Sequence, residues 1–192
     1  SKIKIDQFYK AFNEFNSFVV KPVSSGSSFG VKFFNSIQDI ENFFLNYKNE
    51  IKTYNNIKKL MIEKYIKGRE LTVTVFENNG SSQSVEVTEI ISKNLFFDYR
   101  AKYTKGLSQH ILPANLPKII YHQCLSYAKI VHDILGCRGI TRSDFVYDEK
   151  KIYFLEINTQ PGLTPVSLVP EQLSHKNINF DLLIKKIIDI SL

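Results

Sequence analysis

The 192-residue sequence predicts an α+β fold, and three observations lead to it. Apolar residues recur at helical spacing in five separate segments. Strand-type segments follow one another directly with short turns between them, and no internal repeat is visible. Antiparallel or mixed sheets with flanking helices are therefore expected.

Each element has its own justification. Residues 6–16 carry Phe8, Tyr9, Phe12 and Phe15 on one helical stripe, and 17–21 form a short strand. Ser36 followed by Asp39 is a helix cap, after which Ile37, Ile40, Phe43, Phe44 and Tyr47 continue a second stripe. Strands are expected at 59–65, 69–77 and 84–92, the last two separated by the turn NNGSS. Residues 98–115 lack periodicity and are long for a passive connection, which suggests a functional loop. A helix over 117–135 has Ile120, Cys124, Tyr127, Val131 and Ile134 on one side. Strands at 139–147 and 151–158 and helices at 166–174 and 180–190 complete the chain.

Composition excludes more than it selects. Hydrophobic residues at 43% and charged residues at 23% are those of a globular chain large enough to bury a core, not of a disordered one. A net charge of +6 suits an anionic ligand such as a nucleotide, and equally nucleic acid or simple solubility. The basic residues are spread along the chain rather than gathered with aromatics, which argues against nucleic acid. Cys124 and Cys137 lack metal-type spacing and read as reduced structural residues. No apolar run approaches the ~20 residues that cross a bilayer and no signal segment opens the chain, so no membrane partner and a cytoplasmic location are expected. The chain starts at Ser1, part-way into a helical pattern, so an absent N-terminal portion is expected.

Four stretches could carry chemistry. In VVKPVSSGSSFGV, residues 19–31, Gly26 and Gly30 free the backbone while serine hydroxyls and amide N–H groups can surround phosphate oxygens, with Lys21 supplying charge. The lysine precedes the glycines, so this is not a Walker A loop, and a plain surface loop is the alternative. In LMIEKYIKGRELTV, Glu63 and Glu70 flank a Lys67-Gly68-Arg69 turn and could accept hydrogen bonds from an amine or a sugar hydroxyl. In GITRSDFVYD and KIYFLEINTQPG, strand alternation puts Arg142 with Asp144 on one face and Glu156 with Asn158 on one face. Oxygen ligands suit magnesium and the guanidinium suits phosphate; the alternative is an ordinary polar sheet face. Tyr153, Leu155 and Ile157 are expected on the opposite, apolar side. Finally, FFDYRAKYTKG offers Tyr99, Lys102 and Tyr103 as a basic, aromatic loop that could close over an anion.

Taken in order, VVKPVSSGSSFGV, MIEKYIKGRELTV, FFDYRAKYTKG with Pro113-Ala114, LGCRGITRSDF and LEINTQPGLTPVSLVP closely resemble the D-alanine–D-alanine ligases of the ATP-grasp superfamily, from about residue 17 to the C-terminus. The resemblance implies an ATP-grasp fold with ATP held between two subdomains: 1–75 as the remainder of the central subdomain with the glycine-serine loop, and 76–192 as the C-terminal subdomain with the metal and substrate sites. It implies that Lys21 and Lys102 contact the ATP phosphates, that Glu63 with the backbone of Tyr65 and Ile66 holds the adenine, and that Glu70 holds the ribose. Asp144, Glu156 and Asn158 would bind two Mg2+ or Mn2+ ions. Arg142 and the Gly162 backbone would stabilise the acyl-transfer intermediate, Ser167 and Leu168 would hold the second D-alanine carboxylate, and Ser27 and Tyr103 would lock the lid.

The implied activity is ATP-dependent joining of two D-alanines for peptidoglycan synthesis, through an acyl phosphate, by an enzyme that is a homodimer at full length. Family members carry an N-terminal domain before the lysine strand, whereas about 20 residues precede Lys21 here. The 192-residue chain alone is accordingly expected not to form dipeptide. A related ligase that takes D-lactate or D-serine second is the nearest alternative, with Tyr103 in AKY favouring the dipeptide enzyme. A non-catalytic ATP-binding fragment is the alternative from another class.

Overall fold

The computed structural model describes residues 4–24, 30–46, 59–78, 80–92 and 108–191. These fall into two compact units, one holding the described residues up to Ile66, the other running from Lys67 to Ile91 and resuming at Ser108. A boundary at 75/76 would cut through a continuous strand, Arg69–Asn78.

In the first unit, helix α1 (Ile5–Phe15) leads to strand β1 (Phe18–Pro22), β2 (Lys32–Phe34), helix α2 (Ile37–Leu45) and β3 (Leu60–Lys64). β1 is central, with β2 and β3 antiparallel on either side. β2 is three residues long, too short for alternation to reveal it in the sequence. Asn16, at φ 61°, ends α1 by donating its N–H to the Phe12 carbonyl at 2.8 Å, a left-handed stop that asparagine tolerates. α2 begins as expected, with Ser36 Oγ accepting from the Asp39 N–H at 3.1 Å while Asp39 Oδ2 accepts from the Asn35 N–H at 3.0 Å. The helices cover one face of the sheet. There Phe8 meets the edge of Phe34 at 5.3 Å between ring centroids and stacks on Phe43 at 5.6 Å, burying Phe18, Val20 and Ile40 beside them.

The second unit is a five-stranded sheet in the order β6-β5-β4-β7-β8. Its strands are β4 (Arg69–Asn78), β5 (Ser81–Ser92), β6 (Ser108–Ile111), β7 (Ile140–Tyr147) and β8 (Ile152–Asn158). β4 runs antiparallel to both β5 and β7, and β8 antiparallel to β7. β6 falls inside the stretch expected to be loop, because four residues are enough to add an edge strand. On one face lies helix α3 (Lys118–Ile134), burying Leu71, Val73, Val75, Val87 and Phe145.

The buried line of α3 begins as expected with Ile120 and Cys124 but continues through Ala128 and His132 rather than Tyr127, Val131 and Ile134. Tyr127 is 41% and Ile134 78% exposed. Small side chains at 124 and 128 let the helix lie close on the sheet, so size rather than apolarity selects the packed face. The second face is covered by helices α4 (Leu168–His175) and α5 (Phe180–Ser191), with Phe76, Ile140, Val169, Leu173 and Leu183 as their shared core.

Two β-bulges interrupt the ladder. Between Val73 and Val75 on β4, the partner register on β5 jumps from Val87 to Ser84. The backbone groups this displaces are answered by Gln172 of α4, fully buried, whose Oε1 accepts from the Thr74 N–H at 2.9 Å and whose Nε2 donates to the Thr72 carbonyl at 3.1 Å. The second bulge, on β8, shapes the site below.

Candidate active site

The alternation argument for Arg142, Asp144, Glu156 and Asn158 has a direct counterpart in the register. Asp144 lies opposite Glu156, and Arg142 opposite Asn158. Directly opposed residues share a face, so all four side chains leave the sheet on one side. Thr72 on β4 lies opposite Asp144 and joins that face. Glu70, two residues away on β4, is on it as well.

The bulge explains why the apolar set of β8 differs from expectation. Asp144 pairs with Glu156, but the next residue of β7, Phe145, pairs with Phe154, leaving Leu155 without a partner. The extra residue reverses the alternation, so Phe154 rather than Leu155 shares the core face with Phe145, at 5.7 Å between ring centroids. Both remain partly exposed on this edge strand, Phe154 at 46% and Leu155 at 43%.

Within this face the Arg142 guanidinium donates Nε–H to Asp144 Oδ1 and Nη2–H to Asp144 Oδ2, each at 2.9 Å. Thr72 Oγ1 donates to the same Oδ1 at 2.7 Å. Asn158 Oδ1 accepts the Gln160 N–H at 3.1 Å, which fixes the turn out of β8. The donor set fits magnesium or manganese, which take one or two carboxylates and complete their shell with phosphate and water oxygens. It fits less well a metal caged by protein alone, since no group of three or more His, Cys, Asp or Glu gathers among the described residues.

The chain then folds onto the start of α4. Thr164 and Ser167 are tied by a side-chain hydrogen bond of 2.8 Å, and the Thr164 N–H donates to Ser167 Oγ at 3.1 Å. A Cβ at Gly162 would stand 3.0 Å from Ser167 Oγ, so the Gly162 backbone and the Ser167 hydroxyl are neighbours. Leu168 opens α4 and its side chain is buried. A helix N-terminus beside a hydroxyl and a bare backbone turn is a place for a carboxylate.

In the first unit, the sheet face turned away from the helices carries Lys21 and Glu63, which form an ion pair. Met61 lies opposite Lys21, and Val19 lies opposite both Glu63 and Phe33. Phe33 packs against Tyr65 at 4.7 Å between ring centroids. The Tyr65 N–H donates to the Ser17 carbonyl at 3.1 Å, and Ile66 follows, half-buried. Flat apolar groups beside one cation and one carboxylate can hold an aromatic base whose phosphates run toward the lysine. Phe33 and Met61 were missed from the sequence; the signal would have been strand parity with Val19, which needed β2 to be visible. Thr72 and Gln172 were missed too, and nothing local in the sequence marks them. Ser27, Lys102 and Tyr103 lie outside the described residues.

Known proteins resemble this arrangement. The family described as "D-ala D-ala ligase C-terminus" matches residues 4–189. A D-alanine–D-alanine ligase of Zymomonas mobilis is 42% identical over 183 residues, covering 91% of this chain and 54% of that protein. The D-alanyl-alanine synthetase A of Vibrio cholerae superposes with a TM-score of 0.79 at 28% identity, covering 97% of this chain and 56% of that one. A Bacillus anthracis D-alanine–D-alanine ligase complexed with ATP superposes with a TM-score of 0.72 at 26% identity, covering 100% of this chain and 57% of that one. The chain spans about half the length of the curated relatives it matches.

Proposed function

The chain belongs to the D-alanine–D-alanine ligase C-terminus family, with the ATP-grasp fold, and from that premise we propose that the protein carrying it joins two D-alanine molecules at the expense of ATP, supplying dipeptide for the cell wall. The observation that carries the reading is the shared face of Arg142, Asp144, Glu156 and Asn158, which gathers acid, amide and guanidinium on paired strands.

In this reading a carboxylate oxygen of the first D-alanine attacks the γ-phosphorus of ATP, the bond to ADP breaks, and an acyl phosphate results. The amine nitrogen of the second D-alanine then attacks the acyl carbon; a C–N bond forms, the C–O bond to phosphate breaks, and the amine gives up a proton. Asp144, Glu156 and Asn158 would hold Mg2+ or Mn2+, whose charge, when bound, offsets that on the transferring phosphoryl group. Lys21 attracts the phosphates, and Glu63 with the backbone after it takes the base. Glu70 accepts from the ribose. Arg142, once it turns from Asp144 to the substrate, donates with the Gly162 N–H to the oxyanion. Ser167 and the first turn of α4 hold the acceptor's carboxylate. Lys102, Ser27 and Tyr103 would close the site. Most of this is positioning and fixed charge rather than covalent work by the protein. Two free cysteines suit a reducing compartment, the cytoplasm, where ATP is supplied.

The test is D-alanine-dependent ADP release by the gene's own product, with dipeptide identified by mass spectrometry. Product is expected with wild type. With Glu156→Gln, product should fall by at least about tenfold, the scale on which lost electrostatic stabilisation acts. ATP turnover indifferent to D-alanine would remove the assignment.

A further inference from the structure

Asp144 takes hydrogen bonds from two donors of different kinds. Arg142 reaches both of its oxygens from a long side chain. Thr72 reaches Oδ1 alone, at 2.7 Å, from a side chain that is completely buried. A hydroxyl has one proton to donate, and the other acceptor near it, the Ser143 carbonyl, is at 3.4 Å, so the carboxylate wins. Thr72 cannot easily leave. It is β-branched and stiff at χ1, its backbone pairs with Thr88 on one side and Asp144 on the other, and its carbonyl accepts from the buried Gln172. Gln172 is held in turn by the Thr74 N–H and, at 2.9 Å, by Thr88 Oγ1.

We propose that Thr72 is a positioning residue that fixes the Asp144 carboxylate for a divalent cation. The inference rests on the metal role given to Asp144 above. In that role Arg142 must serve the substrate and release Asp144, after which only the threonine holds the carboxylate. Because Thr72 occupies Oδ1 alone, Oδ2 is left for the cation. The bond to Oδ1 restrains the carboxylate's rotation, so Asp144 need not be ordered when metal arrives. Gln172, itself on α4, ties that helix to β4, the strand that carries Thr72.

The experiment uses the gene's own product with Mn2+ as the probe, titrated in the presence of a non-hydrolysable ATP analogue and followed by the free-ion electron paramagnetic resonance signal. Thr72→Val keeps the shape and removes the hydroxyl; Thr72→Ser restores a hydroxyl. Valine should weaken Mn2+ binding about tenfold or more, serine by no more than about threefold, the range in which outer partners of metal ligands act. Asp144→Asn is the control and should abolish binding. If Asp144→Asn binds Mn2+ as wild type does, the metal assignment falls and this inference with it. If Asp144→Asn loses Mn2+ while Thr72→Val keeps wild-type affinity, the inference alone is overturned. Equal weakening by valine and serine would also overturn it, since the hydroxyl would then not matter. Should the valine protein not fold, Thr72→Cys replaces it, with the same expected loss and the same overturning result.

Discussion

The two faces of the five-stranded sheet are built from alternate residues of the same strands, yet they obey different rules. Toward α3, β4 and β7 offer a mostly apolar core of Leu71, Val73, Val75 and Phe145, in which Thr141 and Ser143 are buried polar exceptions and Thr141 is met by His132. On the reverse face, the intervening positions are Thr72, Thr74, Arg142 and Asp144, also largely out of water. Gln172 answers the Thr72 carbonyl and the Thr74 N–H and Thr72 answers Asp144, while the Thr74 hydroxyl lies buried with no hydrogen-bond partner among the described residues. The first face is governed mainly by volume, the second mainly by matched polar partners.

The contrast is broken most severely from the apolar side. Phe145→Ala should lower unfolding free energy by about 3–5 kcal/mol, the usual cost of emptying a packed phenylalanine site, as read from denaturant melts. A loss under about 1 kcal/mol would mean that the α3 face is looser than described.

A subtler break lies on the polar side. Gln172→Leu removes no volume to speak of but strands the Thr74 N–H and the Thr72 carbonyl. It should cost about 1–3 kcal/mol, and chemical denaturation compared with Leu173→Met, a volume-conserving change next door, separates lost hydrogen bonds from disturbed packing. Equal effects of the two changes would erase the distinction drawn between the faces.

The smallest effect sharpens the comparison through pH. His132, the one imidazole in the buried line of α3, donates or accepts at Thr141 Oγ1 over 2.8 Å, and burial pulls its pKa below the usual 6.5. The unfolded chain then takes up the proton more readily than the folded one. Stability from this group is complete above about pH 6.5 and drains as pH falls toward the lower folded-state value. Thermal melts from neutral pH downward should show the decline, and His132→Gln should flatten it; an unchanged slope would place the pH sensitivity elsewhere.

Much of this was legible in the chain itself. Strong periodicity located the helices and long strands, and parity put Arg142 with Asp144, and Glu156 with Asn158, on one face of each strand; the β7–β8 register makes it the same face. What escaped was whatever depends on partners distant in sequence. β2 and β6 are too short to carry a period of their own, being strands because a neighbour accepts them. Tyr127 and Ile134 look like core on a helical wheel, but the sheet received the smaller Ala128 instead. Thr72 and Gln172 are ordinary polar residues until the sheet and helix bury them against each other.

The unopposed Leu155 gives β8 a property that its composition does not suggest: the strand carries two reading phases. Glu156 and Asn158 keep one phase, on the side of Asp144, while Ile152 and Phe154 keep the other, on the α3 side of the sheet, and Leu155 is the shift between them. In evolutionary terms its presence counts for more than its identity. Half-exposed, it can drift among residue types, but losing it merges the phases and sends either the phenylalanine away from Phe145 or the glutamate away from Asp144. A one-residue gap at this point in a relative's sequence would therefore mark a changed sheet face, however well the letters on either side agreed.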